Sequence, residues 1–288
     1  MKSTNPFVLG LQTEELFGRK EEMELFSAYL DEHTPMKIAI VGVKGIGKTT
    51  LMKKFRQIAD KNKLETKTLY AGRISISELK KEVADIIFIE DVDRNSEVLK
   101  KLEKLNINII ISSKSEKRIN KNVFQIIKLR PLNHIEIKEY IEEKLKDKGV
   151  KIASGALETI IGESEGNPFV LLLVLWNIYD KLHENEKIIT NGNYIAALPS
   201  TLELLGYKFF DELYFHCSEG EREILKVIVK SKNETCTPSD IASICKKPLN
   251  TVTTLIMRLV EKGNLVKISR GKYRVFNKLY VKYVSLQN

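Results

Sequence analysis

The stretch Gly42-Val43-Lys44-Gly45-Ile46-Gly47-Lys48-Thr49 limits what this chain can fold into more than any other. It fits the pattern G-x-x-x-x-G-K-[S/T], with the aliphatic run Ile38-Ala39-Ile40-Val41 before it and an amphipathic stretch to Lys61 after it. A strand feeding a glycine-rich turn and then a helix brings several backbone N–H groups to one point. That point is a helix amino terminus, where the aligned peptide dipoles favour an anion. In such a loop Lys48 is placed to bridge β- and γ-phosphates and the Thr49 hydroxyl to hold Mg²⁺. The candidate phosphate binders are therefore Gly42, Val43, Lys44, Gly45, Ile46, Gly47, Lys48, Thr49 and the adjoining Thr50.

A metal held by one hydroxyl needs a carboxylate close by. Ile86-Ile87-Phe88-Ile89-Glu90-Asp91 reads as a buried strand ending in two acids, the arrangement that completes a Mg²⁺ shell in phosphate-loop sites. The usual order is Asp then Glu, and here it is reversed. Either Glu90 reaches the Mg²⁺ water shell while Asp91 orients the attacking water, or the register slips by one, with Asp93 as a spare candidate. Asp91 is a shorter arm than glutamate, which predicts slow hydrolysis. The next run, Asn108–Ile111, delivers Ser112-Ser113-Lys114 to the carboxyl end of its strand. In an open α/β sheet that end faces the ligand crevice, so Ser113 is a candidate γ-phosphate sensor. Arg118, just beyond, is a candidate arginine finger for a neighbouring subunit.

The first half of the chain alternates short aliphatic runs with amphipathic stretches. Strands are predicted at Lys37–Val41, Glu65–Tyr70, Ile86–Glu90, Ile107–Ile111 and Phe124–Leu129, with helices at Arg19–Leu30, Thr49–Lys61 and Ile76–Ala84. This predicts an α/β fold, a parallel sheet covered by helices. After Arg130-Pro131 the pattern turns helical, at Ile135–Lys146, Gly155–Gly162 and Pro168–Lys181. Glu184–Ser200, polar and turn-rich around Asn191-Gly192-Asn193, reads as a linker. Ser218-Glu219-Gly220-Glu221 opens a helix to Lys230, Thr237-Pro238-Ser239-Asp240 opens another, and a third runs from Asn250 to Lys262. Val266–Ser269 and Lys272–Val275 then form a hairpin, which gives a winged helix-turn-helix plan. The division predicted is 1–130 as core, 131–200 as helical lid and linker, and 201–288 as winged-helix domain.

The 288 residues hold 47 bases and 38 acids, and the surplus is not evenly spread. From Lys246 to the end there are ten bases and one acid, Glu261, while the rest of the chain balances. Positive charge confined in this way points to a polyanionic partner. The third tail helix puts Val252, Leu255, Ile256, Leu259 and Val260 on one face. Asn250, Thr251, Thr253, Thr254 and Arg258 lie elsewhere, as a recognition helix presents polar groups to bases and phosphates. Arg270 and Lys272 flank the hairpin tip, where a wing enters a minor groove. Duplex DNA is the partner predicted, with protein contact or self-association of the same module as the other reading. The longest apolar run, Phe169–Trp176, falls far short of the ~20 residues that cross a bilayer. Three cysteines in no paired spacing predict reduced thiols, a cytoplasmic protein and no membrane partner.

Taken in order, these motifs resemble the archaeal-type P-loop ATPases of the STAND/AAA+ group, which are related to origin-recognition ATPases. Leu16-Phe17-Gly18-Arg19-Lys20-Glu21-Glu22 resembles the family's F-x-G-R-x-x-E motif, and the phosphate loop and acidic strand follow it. Ser112-Ser113-Lys114 resembles its T-S-R sensor, with Lys for Arg, and Glu165-Gly166-Asn167-Pro168 its G-x-P lid motif. Lys272-Tyr273-Arg274-Val275-Phe276-Asn277 resembles the Y-R-hydrophobic-x-D ending of its winged helix, with Asn277 where Asp is common. The resemblance implies a sheet in the order 5-1-4-3-2, Phe17 and Arg19 beside the adenine, and Pro168 reading the nucleotide from the lid. It also implies a switch in which Mg²⁺ and ATP, later ADP, set the position of the winged helix. A phenylalanine, Phe169, follows Pro168 where initiator ATPases carry a sensor arginine, which tilts the resemblance toward STAND switches.

Overall fold

A computed structural model describes residues 4–8, 16–30, 35–74, 84–231 and 235–287. The chain divides into two compact units, one of Val8–Glu136 and the other of Ile137–Asn288 together with the amino-terminal segment up to Phe7.

Val8–Glu136 is built on five parallel strands: β1 (Lys37–Val41), β2 (Thr66–Tyr70), β3 (Ile86–Glu90), β4 (Asn108–Ser113) and β5 (Gln125–Lys128). Their order is β2-β3-β4-β1-β5, which is the predicted 5-1-4-3-2 read from the other edge. Side chains on a strand alternate between faces, and β1 shows what each face meets. Ile38 and Ile40 pack with Phe26 of α1 (Lys20–Leu30) and Leu51, Met52 and Phe55 of α2 (Lys48–Lys61). Ala39 and Val41 pack on the other side with Ile87, Ile89, Ile109 and Ile111 and with Val98, Leu99 and Leu102 of α3 (Ser96–Leu102). Burial on both faces explains why β1, β3 and β4 read as continuous aliphatic runs. Phe26 and Phe55 stack with centroids 4.2 Å apart and fix α1 against α2. The helix read at Ile76–Ala84 lies, but for Ala84, outside the described residues.

The second unit is helical, with α4 (His134–Lys146) leading into it and α5 (Ser154–Ser164), α6 (Pro168–Lys181) and α7 (Asn191–Leu205) following. The linker reading of Glu184–Ser200 is wrong. Ile188–Ile189 (β7) pairs in parallel with Lys151–Ile152 (β6), and most of the rest is α7. Thr190 and Asn193 form a capping box, so the polar cluster around Asn191-Gly192-Asn193 starts a helix. Phe7 is fully buried between Tyr140 and Tyr179, and Asn5 Nδ2 donates to the Trp176 carbonyl at 3.0 Å.

A π-helical turn (Gly206–Phe210) and α8 (Asp211–Phe215) lead to α9 (Glu219–Lys230), α10 (Pro238–Cys245), α11 (Leu249–Lys262), the hairpin β8 (Leu265–Ser269)–β9 (Lys272–Val275), and α12 (Lys278–Ser285). Cys236 forms an isolated antiparallel bridge with Tyr273 of β9. α12 was not read in the sequence; it buries Leu279, Tyr280, Tyr283 and Val284.

Candidate functional site

β1 ends at Val41, level with Ser113 on β4, and the Gly42 N–H donates to the Ser113 carbonyl at 3.1 Å. The loop therefore leaves an interior strand of the sheet, between the ends of β4 and β5. Gly45 and Gly47 both have positive φ, 79° and 100°, which a β-branched or bulky residue resists. Gly47 is the N-cap of α2, no side chain caps that helix, and its first turn holds no acid. The first N–H groups of a helix have no partner within it. Here they form an uncapped positive end, with Lys48 and Thr49 in its first turn.

Lys48 folds back over the loop and donates to the carbonyls of Gly42 (2.7 Å) and Val43 (3.0 Å). Burial lowers its pKa to about 8, with Lys114 acting in the same sense and Asp91, Asp93 and Glu90 opposing. The Thr49 hydroxyl donates to Glu90 Oε2 at 2.9 Å. Burial raises the Glu90 pKa, against the Thr49 hydrogen bond and nearby lysines. A hydroxyl and a carboxylate within one hydrogen bond are two hard oxygen donors of the kind Mg²⁺ takes, so the pair fits that ion.

The geometry separates the two acids that the sequence left ambiguous. Asp91 follows the strand in the left-handed region (φ 56°), where its N–H donates to Ser112 Oγ at 3.0 Å and its carboxylate pairs with Arg94 at 3.7 Å. Asp93 receives the Ser113 hydroxyl at 2.8 Å and the Lys114 N–H at 2.6 Å. Ser113, read as a sensor, is buried and also lies 2.7 Å from the Ser115 carbonyl, so its hydroxyl shapes the end of β4. Arg118 is exposed in the 3₁₀ turn Glu116–Arg118.

Arg19 is 2% exposed and sits behind the loop. Its guanidinium donates to the carbonyls of Ile46 (3.3 Å) and Arg130 (2.6 Å) and pairs with Glu22 at 3.4 Å. It braces the phosphate loop from behind, a role the sequence did not reveal. Phe17 precedes α1 and is half-buried. Pro168 opens α6 in the other unit, where the Asn167 side chain caps the helix.

In the winged helix, Val252, Ile256 and Leu259 of α11 are buried, while Asn250, Thr251, Thr253, Thr254 and Arg258 are exposed, as read. The Thr253 and Thr254 hydroxyls donate to the carbonyls of Leu249 and Asn250 in their own helix. Arg270 and Lys272 are exposed at the hairpin tip. The charge reading needs correction. Of the ten basic residues after Cys245, four pair with acids from earlier elements: Lys247 with Glu223, Lys262 with Glu221, Arg274 with Glu165 and Lys282 with Glu163. Lys246, Arg258, Lys267, Arg270 and Lys272 carry no ion pair among the described residues.

A family model described as penicillinase repressor matches residues 217–282. Among solved structures, the Walker-type ATPase PABY2304 of Pyrococcus abyssi aligns with a TM-score of 0.75 at 13% identity, covering 98% of this chain and 100% of its own. The Thermotoga maritima RuvB Holliday junction branch migration motor aligns at 0.55 with 19% identity, covering 97% and 98%. The Aeropyrum pernix ORC1 protein, solved in complex with DNA, aligns at 0.57 with 12% identity, covering 98% and 96%. No curated protein matches. The fold is that of a P-loop ATPase. In this P-loop ATPase fold Thr49 is hydrogen-bonded to Glu90, Arg19 holds the Ile46 carbonyl of the loop, Ser113 bonds to Asp93, and the residues that the repressor model matches fold as a winged helix. Among the described residues, no helix is long and apolar enough to cross a membrane.

Proposed function

We propose that the chain binds Mg²⁺–ATP on the Gly42–Thr50 loop, hydrolyses it slowly, and uses the nucleotide state to set the disposition of a DNA-binding winged helix. The supporting observation is the uncapped amino end of α2, with Lys48 in its first turn and Thr49 hydrogen-bonded to Glu90. The loop N–H groups and the Lys48 ammonium bind and orient the β- and γ-phosphates. Thr49 and Glu90 are the residues to hold Mg²⁺, which when bound screens the charge that develops on the phosphate oxygens. Water attacks the γ-phosphorus, the bond to the β-bridging oxygen breaks, and ADP and phosphate leave. Asp91 is assigned to orient that water, Arg118 to reach a neighbouring copy's site, and Ser113 with Lys114 to register the γ-phosphate. Phe17 lies on the adenine side, Arg19 acts through the loop, and Pro168 reads the nucleotide from the lid. The functional parts follow 1–130, 131–200 and 201–288.

ORC1 was solved on DNA, and the winged helix here resembles a repressor's. Duplex DNA is assigned to Asn250, Thr251, Thr253, Thr254 and Arg258 on α11 and to Arg270 and Lys272 on the wing. The test is duplex binding and ATP turnover measured together: salt-sensitive binding and DNA-altered turnover are expected, and neither appears if the reading is wrong. A STAND-like alternative, in which the module binds protein or its own kind, draws on Ile244, Leu249, Met257 and Ile268, each at least 40% exposed on the winged helix. It requires an ATP-dependent change in oligomeric state with no affinity for duplex.

A further inference from the structure

The last turn of α5 and the start of α12 are far apart in sequence, yet they are bound together by side chains that the nucleotide site does not use. Asn277 is 1% exposed and works in two directions. Its Oδ1 caps α12, accepting from the N–H groups of Leu279 (2.9 Å) and Tyr280 (3.3 Å). Its Nδ2 donates to the carbonyls of Glu163 and Ser164, both at 3.3 Å, which are among the last acceptors of α5 and need partners from outside the helix. One amide thus closes the end of one helix and opens another.

Ion pairs surround it. Arg274 donates to Glu165 Oε1 at 2.9 Å, and the Lys278 N–H donates to Glu165 Oε2 at 3.1 Å. Lys282 reaches Glu163 Oε1 at 2.7 Å and the Tyr194 hydroxyl at 3.3 Å. Glu165 sits in the left-handed region (φ 49°) and Gly166 follows it there (φ 71°), just before the Asn167 cap and Pro168. A glutamate held at positive φ is an uncommon conformation that the surroundings must impose. Glu165 is the C-cap of α5, and its carboxylate is held by Arg274 and the Lys278 amide, both from the winged helix. Glu163 Oε2 is buried without a hydrogen-bond partner among the described residues, and the ion pairs border a cleft of about 520 Å³.

We infer that Asn277, Arg274, Lys278 and Lys282 join the winged helix to the Glu163–Pro168 turn, so that this helical bundle carries the winged helix as one body in every nucleotide state. Asn277 is the positioning residue of the joint. Its amide is essential in a way that a cap alone would not require, because a carboxylate at this position still caps α12 but places an oxygen against two carbonyl oxygens. The joint itself is independent of the nucleotide reading; its consequence for a switch rests on that reading.

The test is electron–electron distance measurement in the full chain, with spin labels at Ser154→Cys on α5 and Ser243→Cys on α10, both exposed, in a Cys245→Ser background. One narrow distance, identical without nucleotide, with ADP and with a non-hydrolysable ATP analogue, is expected. Asn277→Asp should broaden that distribution in the absence of nucleotide while far-UV circular dichroism stays native. Should Asn277→Asp fail to fold, Glu163→Gln with Glu165→Gln provides the second reading and should broaden it too. A native distance that shifts with nucleotide, or variants that stay narrow, overturns the inference. Calorimetric titration of Mg²⁺–ATP on the same samples reports separately on the phosphate loop, so failure of one is not mistaken for failure of the other.

Discussion

The Thr49 hydroxyl donates to Glu90 Oε2 across 2.9 Å, which ties Glu90 directly to the first turn of α2, whereas Asp91 acts on Lys48 through its charge alone. One residue along, the chain enters the left-handed region and carries the Asp91 carboxylate to Arg94.

The two acids should therefore respond differently to neutralisation. Glu90→Gln keeps an oxygen to receive Thr49 and should leave ATP affinity within a few-fold while lowering turnover by about 10²-fold or more. Asp91→Asn tolerates the same backbone conformation and should cost about tenfold at most. Single-turnover hydrolysis of both variants decides it; equal losses would return the metal to an unassigned carboxylate.

Lys48 is costly to the protein without its ligand, because burial has lowered its pKa to about 8 from the ordinary lysine value. Lys48→Met should abolish detectable nucleotide binding and raise the ligand-free melting temperature by several degrees. A lower melting temperature would mean that its bonds to the Gly42 and Val43 carbonyls outweigh its burial.

The same group sets a pH dependence. Below pH 7 the ammonium is charged in the free protein, and this group contributes no slope. Above about pH 8 the free lysine is largely neutral, while a bound triphosphate draws the proton back. Binding then takes up a proton, and affinity should fall with rising pH by up to about tenfold per unit. Calorimetry in buffers of different ionisation enthalpy reads that uptake directly; release of protons above pH 8 would contradict it.

Arg19→Met should strip the Ile46 carbonyl of the loop and the Arg130 carbonyl after β5 of their donor, cost about 2–4 kcal/mol in stability and weaken ATP at least tenfold. Arg19→Lys should not rescue it, since one ammonium cannot reproduce the planar fork. Chemical denaturation with nucleotide titration checks both; a stable variant with full affinity would remove Arg19 from the site.

Duplex DNA, if bound through Lys246, Arg258, Lys267, Arg270 and Lys272, should show a log–log salt slope of about −4 to −5, at about −0.9 for each phosphate contact. Arg270→Glu with Lys272→Glu should abolish binding and spare ATP. Persistence of affinity in that variant would displace the wing from the interface.

The strands and the loop were legible in the sequence because aliphatic runs such as Ile86–Ile89 are buried on both faces, and because the glycines at 45 and 47 sit where positive φ is needed. The linker reading failed at Thr190 and Asn193, since residues that break structure in a turn also cap helices. α12 escaped because its eight residues are too short for a clear period. The charge reading overshot for a topological reason. Arg274 lies 109 residues from Glu165, and no local pattern reports a pair at that separation. Arg19 was noticed as part of a motif, but its bracing of Ile46 is a tertiary contact.

The most direct measurement is isothermal titration of Mg²⁺–ATP into the full chain and into Lys48→Ala. Saturable one-site binding in the first and none in the second is the result expected. Absence of heat in the native protein, or undiminished affinity in Lys48→Ala, would contradict the claim that the amino end of α2 holds a triphosphate.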